Sequence, residues 1–113
     1  MQLINPQKNP VIPTPDHTNV THQEVAAGNV GAKTFTVKLG TYEPSGSSIF
    51  HVHATQEHCF YMLEGELTLV DENKNEVTAH AGEAIFVPMG EVHAAFNRGK
   101  KKCVYLACTA PIA

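Results

Sequence analysis

Positive charge is scarce in this chain. Eight Lys and Arg stand against eleven Asp and Glu in 113 residues, a formal net charge of −3 with the histidines neutral. The one basic run, Lys100 to Lys102, sits beside turn formers, where three lysines read as a solvated loop rather than a phosphate-binding stripe. Nucleic acid is therefore not expected as a partner. No apolar stretch approaches the length that spans a bilayer, so no membrane is expected either. The opening MQLINPQKNP lacks the basic-then-apolar pattern of a signal peptide. Cysteine is sparse: Cys59, Cys103 and Cys108 are an odd number with no CxxC spacing, which predicts free thiols in a reducing cytoplasm. A Ser-His-Asp pattern, a phosphate-binding glycine loop and a dinucleotide fingerprint are all missing, so nothing places a nucleophile. A helical apolar stripe is missing too, because Gly, Pro and Asn recur too often.

What remains is a series of short apolar segments. Residues 1–17 carry Pro6, Pro10, Pro13 and Pro15 with little periodicity and read as an extended N-terminal arm. Residues 18–113 read as a single domain with one core. Strands are expected at Lys33–Leu39, Ser48–His53, His58–Leu63, Glu66–Val70, Glu76–His80, Ala84–Val87, His93–Asn97 and Lys102–Ala107. Between them lie PSGS, LEGE, DENKN, HAGE, PMGE and NRGK, each rich in turn formers. About eight short strands at this spacing predict an all-β sandwich or barrel.

One stretch carries chemistry. FHVHATQEHCFYMLEG (50–65) holds three histidines and a glutamate within eight positions. On a strand, His51 and His53 project from one face with Val52 opposite. Glu57 and His58 are adjacent, so they point opposite ways, and either is a candidate third metal ligand. A second framed segment, GEAIFVPMGEVHAAFN (82–97), adds His93, which an antiparallel barrel can bring beside the first group. His17, His22 and His80 lie in polar or turn segments and are expected to be exposed.

These two segments resemble the paired motifs of the cupins. Gly46, His51, His53 and Gly65 frame the first motif, and Gly82, Pro88, Gly90, His93 and Asn97 match the second in full. The resemblance implies an all-β, cupin-type double-stranded β-helix, a jelly-roll barrel, across residues 46–97 and the flanking strands. The chain departs from the family in one telling place: six residues before Gly65 it has His58, where most members have Glu. Strand parity favours His58. If His58 faces inward, so do Phe60 and Met62, and a slip of one residue would invert the whole strand. Glu57 is left as an alternative ligand, or as an acceptor that orients a ligand imidazole.

The chain is thus similar to small single-domain cupins of the four-histidine type. The expected cofactor is one divalent transition metal per subunit (Fe, Ni, Cu, Zn or Mn) held by His51, His53, His58 and His93. Ile49, Phe60, Met62 and Ala95 are the expected substrate-pocket residues. The resemblance implies a metal-dependent enzyme acting on a small oxygenated organic molecule, with dioxygenase-type oxidation placed first. Isomerase, lyase or decarboxylase chemistry comes second, and a non-enzymatic binding or sensing role third. It also implies a homodimer, in which the N-terminal arm could lie on the partner's sheet edge.

Overall fold

A computed structural model describes residues 1–112. Nine strands form one curled sheet: β1 (Ile12–Pro13), β2 (His17–Ala26), β3 (Thr36–Ser48), β4 (Glu57–Glu64), β5 (Glu66–Asp71), β6 (Glu76–His80), β7 (Ala84–Val87), β8 (His93–Phe96) and β9 (Cys103–Ala110). Their order is β6-β5-β8-β3-β9-β4-β7, with β2 on β3 and β1 on β2. Every pairing is antiparallel. The result is an all-β, nearly closed barrel. Its helical turns among the described residues are two short 3-10 segments, Pro6–Lys8 and Gly28–Val30. None is long and apolar enough to cross a membrane.

Strand β3 closes the barrel. Its first half, Thr36–Tyr42, pairs with β9, and its far end pairs Ser47 with Phe96 of β8. A single thirteen-residue strand therefore belongs to both walls. Alternation does the rest, because a strand sends successive side chains to opposite faces. In β4, His58 and Met62 are buried while Glu57, Tyr61 and Leu63 are exposed. The interior is filled by Val20, Tyr42, Met62, Leu67, Leu69, Ala79, Ile85, Val87, Ala95, Cys103 and Tyr105.

Two motif residues hold the frame rather than the chemistry. Gly65 turns the chain from β4 into β5 at φ +74, and a Cβ there would lie 2.6 Å from the Lys102 carbonyl oxygen, so glycine is required twice over. Asn97 is buried. Its Nδ2 donates to the carbonyls of Tyr42 (3.0 Å) and Lys101 (2.9 Å), its Oδ1 accepts from Gly99 N (2.9 Å), and its own N–H reaches Gly46 O (2.9 Å). Asn97 thus ties the turn over residues 97–101 to β3.

Three expectations about the strands need correcting. The strand expected over Lys33–Leu39 is β3, Thr36–Ser48, which runs on through PSGS, expected as a turn. Strand β2 was not expected, because HTNVTHQEVA alternates poorly and only its Val20 is fully buried. A bulge between Thr18 and Val20, with Asn19 at φ 56, interrupts its periodicity. The strand expected over Ser48–His53 instead ends at Ser48, and the HxH segment continues as an extended loop. The arm lies on its own barrel: Ile12 and Pro13 pair with His22 and Thr21, and Asn9 Nδ2 donates to Glu24 O at 2.6 Å.

Candidate metal centre

Backbone pairing brings the two histidine motifs together. His51 N donates to His93 O at 2.9 Å and His93 N donates to His51 O at 3.0 Å. Gly90, in the PMGE turn, donates its N–H to His53 O at 3.0 Å. The loop bearing HxH is thereby fastened to β8 without being a strand. Because it stays extended, Val52 is exposed while His51 and His53 both turn inward.

Three imidazoles converge. Ring nitrogens of His51, His53 and His93 lie within 4.8 Å of one another. The His51 ring is 4.4 Å from that of His93 and 4.9 Å from that of His53, centre to centre. His58 stands next to them, its ring 3.9 Å from that of His53. Its Nδ1 contacts Thr109 Oγ1 at 2.9 Å, and its Nε2 is buried without a hydrogen-bond partner. An orphaned, buried nitrogen is costly, so this atom is suited to an electron-pair acceptor.

Tautomers are set by backbone carbonyls. His51 Nδ1 donates to Ile49 O at 2.8 Å and His93 Nδ1 donates to Glu91 O at 2.9 Å, each two residues upstream. A carbonyl only accepts, so in the neutral ring Nδ1 carries the proton and Nε2 keeps its lone pair. Protonation is disfavoured at His53, His58 and His93. Burial, then the neighbouring His53, His93 and His51, push His58 down to about 4. Burial and adjacent imidazoles lower His53. In His93, burial outweighs the opposing Glu91 carbonyl. Neutral imidazoles with a free ring nitrogen, as at His51 and His93, suit a late first-row divalent metal. His51, His53 and His93 could together hold such an ion.

The other predicted residues fall in distinct places. Glu57 is exposed on the opposite face of β4 from His58, and the group that holds His58 is Thr109. Phe60 stacks on His58, its ring 6.1 Å away and nearly parallel. Met62 has no accessible surface, and Ala95 is buried in the core. Ile49 is 57% exposed, and its contribution to the site is the carbonyl that His51 uses. A cavity beside His93 is walled by Leu69, Ile85 and Val87, with Asp71, Asn75 and Glu91 at its polar side.

Sequence reasoning missed His17. Expected to be exposed, it is half-buried, with its ring 6.0 Å from that of His51 and 5.9 Å from that of Tyr42. Its Nδ1 is bound to Pro15 O at 2.7 Å, the same two-residue arrangement seen at His51 and His93. Nothing in the spacing signals this, because β2 brings His17 to the site from outside both motifs. His22 is also half-buried, against Thr14 Oγ1 at 2.9 Å. His80 is exposed as expected, 3.1 Å from a Glu66 oxygen.

The cupin domain family matches residues 38–109, which include both motifs and His51, His53, His58 and His93. The chain is a cupin. No curated protein matches it. Among solved structures, the polyketide cyclase RemF from Streptomyces resistomycificus is 29% identical, with a TM-score of 0.86 over 98% of this cupin and 79% of that chain. A predicted oxalate decarboxylase from Thermotoga maritima is 20% identical, with a TM-score of 0.83 over 98% and 100%. KdgF from Halomonas sp. is 12% identical, with a TM-score of 0.84 over 100% and 96%. The last two likenesses concern the fold of the cupin alone.

Proposed function

We propose that this cupin is a metal-dependent enzyme that acts on a small, carbonyl-rich organic molecule and closes it into a ring without net oxidation. The observation that carries the reading is the convergence of His51, His53 and His93, with the tautomers of His51 and His93 fixed for coordination. The likeness to a polyketide cyclase supports the substrate class. His58 is proposed as the fourth ligand, through its orphaned Nε2.

A divalent metal bound here supplies Lewis acidity toward substrate oxygens. Four imidazoles would add no negative charge, so an ion held by His51, His53, His58 and His93 would keep its full divalent charge and be a stronger Lewis acid than one ligated by a carboxylate. His17, half-buried at the mouth with its Nδ1 engaged, offers Nε2 as a hydrogen-bond acceptor that orients a substrate hydroxyl. Leu69, Ile85 and Val87 give the neighbouring cavity an apolar wall that excludes water from the carbon skeleton.

The test is a synthetic linear poly-β-carbonyl substrate, incubated with metal-loaded protein with and without air. The proposal expects a cyclised product, heavier by no oxygen atom, formed equally in both conditions and abolished by chelation. Dioxygenase-type oxidation is the second reading, because imidazoles also suit redox-active iron and copper. Oxygen uptake with diketones, catechols or flavonols would establish it instead. Tight binding of such molecules with no turnover would make the protein a binding module.

A homodimer belongs to the same proposal. Leu3, Val11 and Ile12 of the arm are exposed, and a second copy is the occupant that would cover them.

A further inference from the structure

Two thiols stand opposite each other on the outer face of the strands that carry His58 and Thr109 on their inner face. Strands β4 and β9 are antiparallel, and their register sets Cys59 directly across from Cys108. The neighbouring pair in the same ladder, His58 and Thr109, meets on the inner side through Nδ1 and Oγ1. Alternation therefore sends both cysteines to the outer face. Cys108 is exposed and Cys59 is half-buried, and both are free. With Phe35 and Phe86 they line a shallow outer groove.

The ladder already has the Cα spacing a disulfide needs. Directly opposed antiparallel residues have Cα atoms about 4.5 or 5.5 Å apart. A disulfide takes Cα separations of about 4.4–6.8 Å. Directly opposed Cβ atoms lie about 4.5–5.5 Å apart, against about 3.5–4.5 Å in a disulfide, so closing the bond takes a small local approach of the two strands. The third cysteine has none of this opportunity: Cys103 has no accessible surface and stands across its ladder from Tyr42 rather than from a thiol.

We propose that Cys59 and Cys108 form a reversible dithiol site that reacts with small disulfides such as oxidised glutathione. The exposed Cys108 sulfur attacks one sulfur of the small disulfide, forming a mixed disulfide and expelling one small thiolate. Cys59 then attacks the Cys108 sulfur, the interstrand S–S bond forms, and the second small thiolate leaves. The two protons lost by the cysteines go to the two released thiolates. The protein is oxidised by two electrons and the small disulfide is reduced by the same two. The site does not rest on the reaction proposed for the metal centre, and its test needs no metal, although the same two strands carry His58 and Thr109 on their inner side.

The experiment equilibrates the full chain with mixtures of reduced and oxidised glutathione, quenches with an alkylating reagent and reads the intact mass. The expected product has lost two hydrogens and carries no glutathione, and it reverts when reduced glutathione is added. Cys59→Ser should instead hold one glutathione on Cys108, which also shows that the variant's thiol is intact and reactive. Cys108→Ser should lose the intrachain disulfide. Two glutathiones on the unaltered chain, a disulfide between two chains, or no change under oxidising mixtures would each overturn the proposal.

Discussion

His51 and His93 are joined by two reciprocal backbone hydrogen bonds, of 2.9 and 3.0 Å, although they come from separate motifs. This pairing sets the distance between their rings before any ion is bound. The main chain, not the metal, does most of the organising. A ligand variant should therefore lose metal while keeping its fold, which separates the role of the side chains from that of the barrel.

Thr109 and Glu57 give opposite expectations. Thr109 Oγ1 is the one group holding His58 Nδ1, so Thr109→Val should weaken metal binding about 10–100-fold. Glu57 faces away, so Glu57→Gln should leave affinity unchanged. His58→Gln should cost more than Thr109→Val, because it removes a direct ligand. Competition against a chromophoric chelator measures all three. Strong metal loss in Glu57→Gln with none in His58→Gln would reverse the roles.

Acid should destabilise the metal-free protein in a defined window. The folded state holds His58 down at about 4, and His53 and His93 are lowered too. Unfolded histidines take up protons near the ordinary value of about 6.5, so below it the unfolded chain binds more protons. Stability is thus fully present above about 6.5 and is lost as pH falls through about 4. Urea midpoints across this range check the slope, and His58→Gln should flatten it. A midpoint that rises on acidification would contradict the assignment.

Asn97 tests the frame apart from the site. Asn97→Ala leaves the Tyr42 and Lys101 carbonyls and the Gly99 N–H without their partner. The expected loss is about 2–4 kcal/mol of unfolding free energy, read from denaturant midpoints. Metal stoichiometry in the folded fraction should stay the same.

Oligomeric state tests the arm. Sedimentation at micromolar concentration should give a dimer, and removing residues 1–15 should weaken it. A monomer in both forms would count against the second copy as the cover for Leu3, Val11 and Ile12.

Much of this was legible in the residues, for physical reasons. Turn formers at LEGE, HAGE and PMGE bound β4 to β8 closely, since a strand of four to eight residues leaves little room for error. Parity in β4 separates His58 from Glu57, because burying one exposes the other. What the sequence hides is long-range. Strand β2 shows one fully buried side chain in ten residues, too weak a period to see. His17 reaches the centre only because β2 pairs with β3, a contact that no local spacing encodes. The HxH segment looks like a strand because it is extended, yet among the described residues its only bridge partner is His93.

The most direct measurement is the metal content of protein purified without an affinity tag, compared with His51→Ala and His93→Ala. The account predicts about one divalent transition-metal ion per chain in the unaltered protein. It predicts that most of it is lost in both variants, while their far-ultraviolet dichroism still reports the β-barrel. Equal metal content in all three proteins would contradict the centre built here.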